Sequence, residues 1–97
     1  MPITGSLHPF DSGGLQRAPE VPGVFGLYEG RELIYYGNAL ISLRDRLRLH
    51  LNGNACTQRA VLFNFEACDN PRQREMELVR EHQSLHGKLP RCNAILA

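Results

Sequence analysis

The sequence has few of the features that assign a chain to a specialised class of protein. Lysine occurs once, at Lys88, and the formal net charge is only +1. Composition therefore does not indicate a strongly basic nucleic-acid-binding domain. No apolar run approaches the length of a membrane-spanning helix, and no signal-peptide pattern opens the chain. The sequence predicts a soluble, cytoplasmic protein that does not associate with membranes.

Cysteines are also few, and they follow no pattern. Cys56, Cys68 and Cys92 are odd in number, widely spaced and form no C-x-x-C pair. This argues against a disulfide framework and against a four-cysteine zinc site. A reducing, intracellular setting is expected, with Cys68 and Cys92 buried as small side chains. His82 and His86 lie four residues apart, but no third ligand has a suitable spacing, so a structural role is expected for them.

The sequence does have the composition of one small globular domain. Its 97 residues are 42% hydrophobic and 22% charged, and one core is expected at this length. All basic residues except Lys88 are arginine, the side chain better suited to forked contacts with phosphate. Four of the six prolines lie before residue 23. We therefore predict a loop-rich, loosely packed arm over residues 1–21, with a helical turn around residues 14–18, and a folded domain over residues 22–97.

A β-hairpin is the clearest local prediction. Val24–Tyr28 and Glu32–Tyr36 are rich in β-branched and aromatic residues, and a short segment that contains Gly30 separates them. Gly37 is predicted to end the second strand. A third strand is predicted over Arg59–Cys68, with the continuous hydrophobicity of a central strand.

Two helices complete the predicted domain. Leucines at positions 43, 47 and 51 predict a helix over residues 40–51, with Leu49 exposed. A second helix is predicted from Pro71 to about Leu85, with Gly87 as its stop. Its inward stripe is predicted to comprise Leu78, Val79, His82 and Leu85. Residues 90–93 are predicted to form a short extended tail. The predicted fold is an α+β domain with a small three-stranded antiparallel sheet flanked by helices.

The hairpin carries two short motifs that resemble those of the GIY-YIG nuclease superfamily. Pro22-Gly23-Val24 is similar to the first motif, with Phe25 in place of its tyrosine, and Tyr35-Tyr36-Gly37 matches the second. Residues 38 and 39 are Asn-Ala, where family members commonly have Lys-Ala or Ser-Ala. Each tripeptide alone is a weak signal.

Four later positions continue the resemblance in the right order. Arg46 and His50 lie on the first predicted helix, in a Leu-x-x-Arg-Leu setting with a histidine one turn on. Glu81 and Asn93, nine residues before and three after Pro90, lie at the positions of the family's metal-binding glutamate and final asparagine. The resemblance extends over residues 22–93. Agreement at separated positions is much stronger than a single motif.

The resemblance implies an endonuclease that hydrolyses DNA phosphodiester bonds with Mg²⁺ or Mn²⁺. Glu81 would bind the metal, and Arg46 would stabilise charge in the transition state. Tyr35 and His50 would orient water and transfer protons. The catalytic set would therefore be Tyr35, Arg46, His50 and Glu81, and the DNA-contacting residues would be Asn38, Arg44, Arg48 and Asn93.

Two alternatives remain open at the level of sequence. Phe25, Asn38 and the nearly neutral charge are also compatible with a catalytically impaired module that binds nucleic acid or a protein. The domain could also work only within an assembly, with a protein partner that supplies DNA targeting.

Overall fold

The computed structural model describes residues 1–53 and 55–96. Its seven helices and strands follow the order βββαβαα. They are β1 (His8–Pro9), β2 (Gly23–Glu29), β3 (Glu32–Ala39), α1 (Leu43–Gly53), β4 (Leu62–Ala67), α2 (Pro71–His86) and α3 (Arg91–Leu96). Short 3-10 helices span Gly14–Arg17 and Thr57–Arg59. Among the described residues, no helix is long and apolar enough to cross a membrane.

The sheet is antiparallel and has four strands in the order β1-β4-β2-β3. The α+β class, the hairpin and the central position of β4 are confirmed, but the predicted strand number was one too low. The additional strand is β1, where His8 pairs with Phe63 and Pro9 pairs with Leu62. Two residues are too few to produce a periodic signal in the sequence. β3 is an edge strand, and the candidate site lies along it.

Each face of the sheet is covered by a different helix. Leu43 and Leu47 of α1 are buried in one cluster with Phe25 and Phe63. Leu78 of α2 is buried in a second cluster that includes Val24, Tyr36 and Ile3. Because successive residues of a strand point to opposite faces, β2 and β3 supply side chains to both clusters. The predicted α1 stripe is confirmed, as is the exposure of Leu49.

The N-terminal segment packs more closely than predicted. Phe10, Leu15 and Ala18 are buried in the same cluster as α1, and the predicted helical turn is present as the 3-10 helix Gly14–Arg17. The guanidinium group of Arg44 also binds this segment, because its Nε donates a hydrogen bond to the carbonyl oxygen of Ala18 (3.0 Å). The segment thus closes one side of the core, and the expected loose packing is wrong.

Several boundaries differ from the sequence predictions. β3 continues through Gly37 to Ala39, because Gly37 pairs with Phe25 and Ala39 pairs with Gly23. Residues 91–96 form α3 rather than an extended tail. Leu85 is exposed rather than part of the α2 stripe, whereas Leu78 is buried as predicted. Gly87, with φ 76°, ends α2 as predicted.

A disulfide joins Cys56 to Cys92, with an S–S distance of 2.00 Å and a Cα–Cα distance of 5.8 Å. The argument against disulfides is therefore wrong for this pair. Cys92 is buried as expected, whereas Cys68 is a free thiol that is only partly buried. The 36 residues between the two cysteines carry no spacing signal. Only the tertiary fold brings α3 against the turn that follows α1.

Candidate active site

Three rings lie together between β2, β3 and α1. The ring centroids of Tyr35 and His50 are 5.0 Å apart, and the Phe25 ring lies 5.5 Å from His50 and 6.1 Å from Tyr35. Tyr35 comes from the edge strand, whereas His50 comes from the last turn of α1. Two residues predicted to be catalytic therefore lie side by side, with Phe25 beneath them.

Phe25 and Gly37 are paired neighbours on β2 and β3. The Phe25 side chain is fully buried, and a Cβ on residue 37 would lie 2.5 Å from its Cζ atom. Glycine is therefore required at position 37 because it allows the ring to pass close to the backbone. The position of the motif tyrosine is filled by a core side chain without a hydroxyl.

His50 is held in one orientation by Thr57. Its Nδ1 lies 3.2 Å from the Thr57 hydroxyl oxygen, and that hydroxyl donates to the carbonyl oxygen of His50 at 3.4 Å. A hydroxyl that donates its proton to the carbonyl uses its oxygen to accept from Nδ1–H. These partners imply the tautomer with a proton on Nδ1 and a lone pair on Nε2.

Burial, reinforced by the nearby charge of Arg46, lowers the pKa of His50 to about 4. Desolvation and a like charge both disfavour the imidazolium form. His50 is therefore neutral over the physiological pH range.

This shift predicts a loss of stability in acid. Since the pKa of His50 is lowered from 6.5 to about 4, the unfolded chain binds the proton more readily than the fold does between these values. The free energy of unfolding should fall by about 3 kcal/mol between pH 7 and pH 4 from this group alone. Urea unfolding across that range measures it, with His50→Gln as the comparison. A variant with the same acid dependence as the parent would contradict the assignment.

Glu75 of α2 and Tyr35 line a pocket of about 330 Å³, together with Asn93. Its Oε1 accepts a hydrogen bond from Asn38 Nδ2 at 2.8 Å. Burial raises the pKa of the Glu75 carboxyl, whereas Asn38 and the charge of Arg46 oppose that rise. Burial, reinforced by the charge of Glu75, also raises the pKa of Tyr35, and Arg46 again opposes the shift. The Glu75 carboxylate and the Arg46 guanidinium therefore both affect the pKa of the Tyr35 phenol, in opposite directions.

Asn93 fixes the backbone of β3 beside this pocket. Its Oδ1 accepts from the Tyr36 N–H and its Nδ2 donates to the Tyr36 carbonyl oxygen, both at 2.9 Å. The two bonds resemble one rung of a sheet and join residues 57 positions apart in the chain. Because edge strands have unpaired backbone groups, a side chain that binds both groups of one residue keeps Tyr35 in place.

Glu81 lies in different surroundings. Its Oε2 is 2.8 Å from the N-terminal nitrogen of Met1, and its charge acts on Tyr36, whose pKa is raised to about 12, mainly by burial. Tyr36 belongs to the α2 face of the sheet, with Leu78. The structure thus brings Tyr35, Arg46 and His50 together with Glu75, whereas Glu81 lies with Tyr36.

The other arginines of α1 point away from this pocket or are engaged in ion pairs. Arg44 pairs with Glu20 at 2.8 Å as well as binding the N-terminal segment. Arg48 is exposed and pairs with Asp45 at 3.0 Å. Arg46 is exposed one turn before His50.

The fold and this arrangement can be compared with solved structures. The chain is similar to the GIY-YIG N-terminal endonuclease domain of UvrC from Thermotoga maritima bound to magnesium, with a TM-score of 0.58 and 27% identity over 71% of this chain and 85% of that one. The chain has the GIY-YIG fold. A tyrosine-to-phenylalanine mutant of the UvrC domain, bound to the catalytic divalent cation, gives a TM-score of 0.58 and 28% identity over 71% and 84% of the two chains.

An asparagine-to-alanine mutant of that domain, also bound to its catalytic divalent cation, gives a TM-score of 0.59 and 27% identity, with 71% and 84% coverage. No protein-family model and no curated protein sequence matches the chain. Within residues 1–53 and 55–96, no group of three or more His, Cys, Asp or Glu side chains could hold a metal ion.

Sequence reasoning missed two residues of this candidate site. Glu75 lies three residues before Leu78 and four before Val79, so extending the predicted α2 stripe by one turn would have found it. Thr57 carried no comparable signal, because it lies in a short 3-10 helix after α1 and reaches His50 only through the turn. Glu75 and Glu81 both lie on α2, and the packing of this helix distinguishes them. Glu75 lies beside Tyr35, whereas Glu81 lies beside Met1 and Tyr36.

Proposed function

We propose that this protein is a Mg²⁺-dependent endonuclease that hydrolyses DNA phosphodiester bonds at the edge of β3. The observation that carries the proposal is the convergence of Tyr35, Arg46, His50 and Glu75 on one side of a GIY-YIG fold. Similarity to the UvrC endonuclease domain supports the same reaction class. In this proposal Glu75 takes the metal-binding role that the sequence suggested for Glu81.

A magnesium ion fits the donor set around Glu75. Mg²⁺ keeps several waters and commonly uses one or two protein carboxylates together with substrate phosphate oxygens. Glu75 supplies one half-buried carboxylate beside a pocket of about 330 Å³, and Asn38 orients it. A bound cation would stabilise negative charge on the phosphate and the leaving oxygen. Mn²⁺, with similar ligand preferences, is the expected substitute.

The protein side chains supply the remaining functions. Arg46 keeps its charge at any working pH and binds the non-bridging oxygens of the scissile phosphate. Tyr35 keeps its proton because burial raises its pKa, so its hydroxyl orients the attacking water rather than serving as a base. His50 offers its Nε2 lone pair to the proton of that water. Asn93 holds the strand that carries Tyr35.

A catalytically impaired, DNA-binding module is the second candidate, and Phe25 is the observation that favours it. The ring is fully buried and has no hydroxyl to offer the substrate. Tyr28 and Tyr36 line a different pocket, with His82 and Lys88, so neither replaces it. Against this candidate, a tyrosine-to-phenylalanine mutant of the UvrC domain still binds its catalytic cation. Salt-dependent DNA binding without cleavage would identify this candidate.

Arg46 provides the direct test of the proposed function. Plasmid nicking in Mg²⁺, with EDTA as the blank, should be reduced roughly 10²- to 10³-fold by Arg46→Ala, because a positioned charge is lost from the transition state. Arg48→Ala, two residues along the same helix, should weaken binding and lower the salt slope by about one, with little loss of rate at saturating DNA. Cleavage that survives Arg46→Ala would refute the proposal.

A cytoplasmic location and a DNA-targeting protein partner belong to the same proposal. Cytosolic reductants keep most thiols reduced, but the Cys92 side chain is fully buried, which restricts access to the Cys56–Cys92 bond. The nearly neutral charge of the chain supplies little long-range attraction to DNA. In this proposal, a protein partner therefore brings the domain to its DNA substrate.

A further inference from the structure

A second groove adjoins the candidate active site on the outer side of α1. It has a volume of about 530 Å³ and shares Asn38 and Arg46 with that site. The turn between β3 and α1 supplies Leu40 and Ile41, and α1 supplies Leu49. The groove is therefore continuous with the place where the scissile phosphate would bind.

Its lining combines exposed apolar groups with positive charge. The side chains of Ile41, Leu49 and Leu40 are 81%, 63% and 50% exposed. An apolar cluster beside a functional site marks a binding surface, whereas single exposed leucines do not. Arg46 and Arg72 flank this cluster, and Asp45, the acidic residue of the lining, is paired with Arg48 at 3.0 Å. The arginines can therefore attract phosphate while the apolar cluster meets an uncharged surface.

We infer that this groove, lined by Leu40, Ile41 and Leu49, holds the DNA next to the cut, with Ile41 inserted against the base step that flanks the scissile phosphate. The inference rests on the proposed function. Apolar wedges such as isoleucine and leucine open base steps in many DNA-binding proteins, while arginines bind the adjacent phosphates. Ile41 is suited to this role because it is highly exposed in the bend between β3 and α1, two residues before the first residue of the helix that carries Arg46.

The wedge makes a specific prediction about substrates. Ile41→Ala should cut an intact duplex roughly tenfold more slowly, because the enzyme loses the contact that offsets unstacking of the base step. The same variant should cut a duplex with a mismatch at that step within about twofold of the parent rate, since a mismatched base costs less to displace. Both rates are measured on a short duplex whose cut position has been mapped.

Leu85→Ala is the matched control, because Leu85 is 74% exposed and lies on α2, outside the groove. It should leave both rates unchanged. Equal slowing of both duplexes by Ile41→Ala would overturn the wedge. No slowing of either duplex would also overturn it, and would point to a protein partner as the occupant of the groove. A parent protein that cuts neither duplex would refute the proposed nuclease function itself. A parent that cuts while Ile41→Ala behaves normally would refute the wedge alone.

Discussion

Replacing Glu75 with glutamine should abolish most DNA cleavage, whereas the same change at Glu81 should leave it nearly intact. Glu75 is the carboxylate beside Tyr35 and Arg46, and loss of a metal ligand removes several kcal/mol of transition-state stabilisation, or roughly 10²- to 10⁴-fold in rate. Glu81 pairs with the N-terminus at the surface, a contact worth little. Its substitution should change the rate by less than about twofold.

Measuring the stability of Glu75→Gln tests whether unfolding, rather than loss of a metal ligand, causes the expected loss of cleavage. Burial raises the pKa of Glu75, which means that the fold disfavours its charged form, and at pH 7 this group therefore costs stability. Glutamine keeps the shape and can still accept a hydrogen bond from Asn38, without the charge. The melting temperature of Glu75→Gln should therefore equal or exceed that of the parent.

Titration with Mn²⁺ separates a metal ligand from a residue that only shapes the pocket. Glu75→Gln should lose metal binding measured without DNA, and Glu81→Gln should retain it. The opposite result, with cleavage and Mn²⁺ binding lost only in Glu81→Gln, would restore the assignment suggested by the sequence resemblance. It would also require that the Glu81–Met1 ion pair opens when DNA binds.

Much of the fold could be predicted because its signals are local. The hairpin depends on a glycine turn, with Gly30 at φ 63°, and α1 depends on leucines that recur every four residues. β1 and α3 could not be predicted in this way. β1 exists only because β4 offers an edge to His8 and Pro9, and α3 is a six-residue helix tied down through Cys92. Short elements take their conformation from tertiary contacts.

The candidate site shows the same division between local and tertiary information. The resemblance to the GIY-YIG motifs suggested Tyr35, Arg46 and Asn93 as site residues, and strand and helix periods indicate the face on which Tyr35 and Arg46 lie. The choice between Glu75 and Glu81 was made on the spacing from Pro90, which pointed to Glu81, whereas the helical spacing from Leu78 and Val79 points to Glu75. The resemblance pointed to Asn93, but the sequence did not predict its two hydrogen bonds to the Tyr36 backbone.

Breaking the Cys56–Cys92 disulfide should cause a large loss of stability. A bond that closes a loop over 36 positions stabilises a fold by about 3–4 kcal/mol through the entropy of the unfolded chain. Small domains have only about 5–15 kcal/mol in total, so the loss is a large fraction. Urea unfolding of Cys92→Ser against the parent measures it, and the melting temperature should fall by roughly 12–30 °C.

Cys68→Ser is the internal control, because Cys68 is a free, half-buried thiol whose loss should cost less than about 1 kcal/mol. Dithiothreitol should lower the stability of the parent and of Cys68→Ser, and leave Cys92→Ser unchanged; a parent that is indifferent to the reductant would contradict the disulfide. The bond should also affect the site, since Cys56 directly precedes Thr57, which orients His50, and Cys92 directly precedes Asn93, which holds Tyr36. Cleavage by the reduced parent, at a temperature where it remains folded, should therefore fall more than Mn²⁺ binding does, because Glu75 is anchored on α2.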